Sequence, residues 1–81
     1  MADDGLIMIR WHTDKTVDPM MYRLICENDD PAYSELTVSL SSAEVTERVA
    51  RARLIGMMFE KARQMKIDGT RLRFQVNGID D

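Results

Sequence analysis

His12, Thr13 and Asp14 form a triplet that offers two metal-ligating side chains. Structural zinc takes four protein ligands and catalytic zinc three, and neither a cysteine nor a second histidine stands nearby. The triplet therefore reads as an exposed loop histidine beside a turn-forming aspartate. Glu27-Asn28-Asp29-Asp30 is as acidic as a calcium loop but lacks the alternating ligands, central glycine and terminal glutamate of an EF-hand. With Pro31 behind it, the segment reads as a turn whose carboxylates Glu27, Asp29 and Asp30 protrude. Cys26, Ser41 and Ser42 are the candidate nucleophiles. Nucleophilic catalysis needs a base oriented beside the attacking atom, and the candidates do not converge on one. Neither a GxGxxG nor a GxxxxGK[ST] phosphate loop occurs. The expectation is a non-enzymatic chain with no catalytic, metal or cofactor site.

The element that organises the rest is a predicted helix from Ser41 to Lys66. Ser41 followed by Glu44 has the spacing of a capping box, and Asp68-Gly69 supplies a turn beyond the last basic residues. At about 100° per residue, Val45, Val49, Ala52, Ile55, Gly56, Phe59 and Ala62 share one broad face, which is read as the core-facing stripe. Gly56 in that stripe implies close approach of helix to sheet. Leu54, Met58 and Met65, with Met57 beside them, fall on the opposite side as a second apolar stripe. Met packs adaptably and recurs at binding faces, so these four residues are the expected protein interface.

Period-two alternation places strands at Leu36–Leu40 and Leu72–Val76. Leu6–Trp11 and Met21–Glu27, bounded by glycine, proline and aspartate, read as two more. If Ile7, Ile9 and Trp11 join Tyr22, Leu24 and Cys26 on the inner side, the chain order β-β-β-α-β makes a two-layer α+β sandwich. One long helix then packs on a four-stranded, mostly antiparallel sheet. The helical crossover permits a parallel last pairing, and the expected order is 3-2-1-4. The uncovered sheet face then displays Arg10, Arg23, Arg71 and Arg73 around Met8, Met21 and Ile25.

At 81 residues the chain is expected to be one domain, with acidic flexible ends at about 1–4 and 78–81. With 44% hydrophobic and 31% charged residues, and no apolar run near the ~20 residues that span a bilayer, it reads as a soluble globule rather than a disordered or membrane chain. The acidic start, followed by a short apolar run broken by Arg10, does not resemble a secretory signal. Cys26 is the single cysteine. Both features point to the cytoplasm. The net charge of -3 is uneven, because Glu44–Lys66 holds six basic and three acidic residues and the remainder carries -6. Such polarity favours steered docking to a charged partner.

A compact acidic β-β-β-α-β chain without a catalytic constellation is similar in build to small phage-encoded inhibitors, anti-CRISPR proteins among them. That likeness implies a protein that blocks a surface of a larger nucleic-acid-handling complex in the host cytoplasm. The expected function is thus a protein-binding modulator and homodimer. Its apolar anchors would be Leu54, Met57, Met58 and Met65, and Glu27, Asp29 and Asp30 would dock on a basic surface. The alternative is a nucleic-acid-binding module using Arg10, Arg23, Arg71 and Arg73 against phosphates. The aromatic platform of an RNA-binding sheet is missing from that face.

Overall fold

The computed structural model describes residues 5–75. Along the chain these form β1 (Ile7–Asp14), β2 (Met21–Cys26), β3 (Thr37–Ser41), α1 (Glu47–Gln64) and β4 (Leu72–Gln75), with 3-10 turns at Pro31–Tyr33 and Gly69–Arg71. The sheet order is β3-β2-β1-β4. β1 pairs antiparallel with β2 and β2 with β3, whereas β4 joins β1 in parallel. The architecture is the expected α+β sandwich, and the helix supplies the crossover that a parallel pair requires. The acidic ends and Val76 lie outside the described residues.

Alternation along the strands sends Ile7, Ile9, Trp11, Tyr22 and Leu24 into the core, where Leu36 and Leu72 join them. Burying each aliphatic side chain contributes about 1.5–3 kcal/mol. Trp11 is buried without stranding its donor, since Nε1–H donates to Thr13 Oγ1 at 3.1 Å. Its ring lies 5.5 Å from that of Tyr22. Cys26 and Phe74, both read as inward, are only partly buried against this core.

The helix begins later than its apparent capping box. Ser41 is still in the β3 ladder opposite Met21, so its backbone is committed to the sheet. Its hydroxyl accepts from the Ala43 N–H at 3.1 Å, and its carbonyl accepts from the Glu44 N–H at 3.1 Å. The pair Ser41/Glu44 therefore makes a turn. The true cap is Thr46, in extended geometry, whose Oγ1 accepts from the Val49 N–H at 3.3 Å.

The helix is rotated relative to the sequence expectation: of the expected core stripe, Ala62 is buried and Val45 and Ile55 pack against the core, but the rest of that stripe faces out. Ala50, Leu54, Met58 and Ala62, a row at four-residue spacing, are fully buried, and Met65 and Ile55 pack beside them. Val49, Ala52, Gly56 and Phe59 are exposed. Gly56 makes no close approach to the sheet, because no heavy atom lies within 4 Å of where its Cβ would stand. Apolar residues surround most of this helix, so periodicity alone left its rotation open. The long side chains of Leu54 and Met58 fill the space above the sheet.

At its other end the helix stops after Gln64, with Lys66 rather than a glycine in the left-handed region at φ 63°. The Lys66 N–H donates to Arg63 O at 3.0 Å and the Ile67 N–H to Ala62 O at 2.8 Å, the paired bonds of a Schellman motif. Gly69, read as the helix-ending turn, sits instead in the following 3-10 turn beneath Phe59. A Cβ at Gly69 would come within 3.0 Å of Phe59 Cδ1.

Candidate functional site

One face of the sheet carries α1; among the described residues the other carries no helix. On it β1 presents Met8, Arg10 and His12, β2 presents Met21, Arg23 and Ile25, β3 presents Thr37 and Ser39, and β4 presents Arg73 and Gln75. The ladder register sets Arg10 beside Ile25 and Gln75, His12 beside Arg23, and Met8 beside Arg73. Met8, Met21 and Ile25 are half-buried, with charged side chains between them.

The charges on this face are matched internally. Arg10 Nε lies 2.7 Å from Glu27, and Arg23 Nη2 lies 3.2 Å from Asp14. The Asp14 carboxylate also accepts from the Thr16 hydroxyl and backbone N–H. The two Thr16 bonds chiefly, with Arg23 helping, hold its pKa at about 2. Arg73 turns back on its own strand, donating from Nη1 to Thr70 O at 2.8 Å and Leu72 O at 2.9 Å. The alternation that puts Arg71 on this face is broken by the 3-10 turn in which it lies. Arg71 is half-buried at the base of the sheet, where Nε donates to the Gly5 carbonyl and Nη2 to the Tyr33 hydroxyl. Of the four candidate phosphate contacts, three share the open face and Arg71 does not.

The candidate protein interface is dispersed. Leu54 and Met58 are 0% exposed within the single chain and are unavailable to a partner. Met65 is partly buried against the same core, and Met57, at 36% exposed, is the one of the four on the surface. Among the acidic residues, Glu27 is paired with Arg10. Asp30 caps the 3-10 turn by accepting from the Ala32 N–H at 2.9 Å, and Asp29 is exposed.

Cys26 is half-buried, and desolvation first, then the charge of Glu27, pushes its thiol pKa up, which disfavours the thiolate. His12 is exposed on the sheet face. Among the described residues, no three of His, Cys, Asp and Glu are grouped as metal ligands. No described helix is long and apolar enough to cross a membrane.

Two residues that shape the site escaped sequence reasoning. Asn28 Oδ1 accepts from the Met8 N–H at 3.2 Å and its Nδ2 donates to Leu6 O at 3.4 Å, so a turn side chain extends the β1–β2 ladder. The only signal was an Asn directly after a strand. Tyr33 anchors Arg71; its signal was a lone aromatic in a polar loop. Comparison of the chain with protein-family models, with curated proteins and with solved structures gave no match.

Proposed function

We propose that this domain is a non-enzymatic protein-binding module, a small inhibitor or accessory factor that covers part of a larger cytoplasmic complex, and that its open sheet face receives the partner. The observation that carries this reading is a helix-free face along which the half-buried Met8, Ile25 and Met21 are interspersed with the Arg10–Glu27 and Arg23–Asp14 ion pairs. Apolar side chains interspersed with mutually matched charges make a face that a protein partner can cover without leaving a buried charge unpaired. The inhibitor role rests on size and build alone. The same arginines serve a nucleic acid less well. Each guanidinium on the face already has a local acceptor, and the face lacks an aromatic on which a base could stack.

The test begins with parallel capture from native lysate by the wild type and by Ile25→Asp, followed by calorimetric titration of the purified candidate. The expected result is direct binding that Ile25→Asp weakens at least about tenfold, while Glu44→Gln, on the turn before the helix, leaves it intact. Undiminished binding by a folded Ile25→Asp protein overturns the reading. So does a low-salt electrophoretic shift of single-stranded RNA that disappears on Arg10→Ala with Arg23→Ala.

A further inference from the structure

Gly56 sits mid-helix and faces open space. A glycine there costs about 1 kcal/mol relative to alanine, and nothing in the single chain requires it. It shares an exposed surface with Ala52, with Val49 at 41% exposed and with Phe59 at 42% exposed. We propose that this surface is a self-association interface in which α1 packs antiparallel on α1 of a second copy, the two helices crossing at Gly56.

The pattern of residues around Gly56 selects a second copy as the occupant. At 3.6 residues per turn, Ala52 and Phe59 fall to one side of Gly56, and Arg53 and Glu60 to the other. Ala52 and Arg53 stand about 5 Å before it along the axis, and Phe59 and Glu60 about 5 Å after it. A two-fold axis lying across the helices between the two copies keeps the sides and reverses the axial order. Phe59 of each copy therefore lands on Ala52 of the other, a ring over a small residue. Glu60 lands beside Arg53 of the other, so opposite charges meet twice. The stem of Arg63 covers Val49 in the same way.

Such self-complementarity is the requirement of an isologous contact, and a glycine at the crossing lets the backbones approach. Phe59 is already seated for this role, its ring packed edge-on at 5.4 Å from Phe74 and resting on Gly69. Glu60 accepts from Gln64 at 3.4 Å and lies 3.8 Å from Arg63. These exposed contacts are weak enough to be exchanged for Arg53 of the second copy. The open sheet face, on the opposite layer, stays free in this dimer, so the proposal stands independently of any heterologous partner.

Sedimentation equilibrium and light scattering on the purified chain test it. The wild type is expected to be a dimer that dissociates on dilution. In Gly56→Leu the new side chain points into solvent in the single chain, so the thermal midpoint of the monomer should not fall, yet self-association should weaken at least about tenfold. Glu60→Arg should weaken it as well, and adding Arg53→Glu should restore it. A wild type that is monomeric at every concentration overturns the proposal. A dimer that survives Gly56→Leu does the same, as does one that only Ile25→Asp disrupts.

Discussion

Arg71 and Tyr33 are joined at the base of the sheet by a 2.6 Å hydrogen bond from Nη2 to the tyrosine hydroxyl. The guanidinium carbon lies 5.9 Å from the centre of the Tyr33 ring, and Nε donates to the Gly5 carbonyl. One side chain thereby ties the start of β4 to the segment that enters β1 and to the loop between β2 and β3.

Removing either end of this tie should loosen all three segments. Tyr33→Phe should cost about 1.5 kcal/mol, the lower end of the net worth of a hydrogen bond to a charged group. Arg71→Ala should cost about 2–3 kcal/mol, because it also leaves carbonyl and hydroxyl acceptors unpaired. Urea unfolding of both single variants and the double variant gives the coupling. Strictly additive effects would mean that the two groups do not support each other.

Lys66 offers a gain in stability. A non-glycine residue in the left-handed region carries strain of about 1 kcal/mol, and Lys66 bears it at φ 63° to close the helix. Lys66→Gly should raise stability by up to about 1 kcal/mol and lift the melting temperature by a few degrees. An unchanged or lower melting temperature would show that the lysine side chain contributes more than its backbone costs.

The rotation of the helix makes a sharp contrast between neighbours. Leu54→Ala should cost about 2–5 kcal/mol through the cavity it leaves, whereas Met57→Ala on the flank should change stability by less than about 1 kcal/mol. Calorimetric melting of the pair settles which stripe faces the sheet. Equal losses would place the helix in a different rotation.

The acid limb of stability should bear the mark of Asp14. Its folded pKa of about 2 lies below the ordinary 3.8, so the unfolded chain takes up the proton first. The contribution is complete above about pH 4 and disappears as pH falls towards 2. The Asp68 carboxylate, lowered by its bonds from Thr70, acts in the same direction. Asp14→Asn should flatten the decline of stability between those pH values, as read from urea midpoints. Thr16→Val should do much of the same, because Thr16 supplies the largest stabilising bond.

Strand faces were legible where a strand has one side that water would accept and one that it would not. Around β1, where Leu6 and Met8 are apolar on the other side, the sequence left the phase open, and the structure takes the one that buries Ile7, Ile9 and Trp11 and turns Arg10 and His12 out. Helix rotation was illegible for the converse reason, since Val49 and Phe59 compete with Leu54 and Met58 on hydrophobicity alone. The deciding quantity is the space above the sheet, which exists only once the strands are paired. The Arg10–Glu27 contact was equally hidden. It depends on Glu27 being drawn in by the bond from its N–H to Met8 O at 2.8 Å, a matter of register rather than composition. Arg71 was misplaced because alternation was carried through residues that form a 3-10 turn.

β1 comes first among the strands yet lies between β2 and β4, and its Ile7 is matched to Leu72 near the far end of the described chain. A nascent polypeptide emerging from the ribosome can zip β1 to β2 early, but the other flank of β1 stays bare until Leu72–Gln75 arrives. Closure of the sheet therefore waits on the last described strand. A chain stalled or cleaved before β4 would leave an oily, unpaired ribbon for chaperones or proteases to claim.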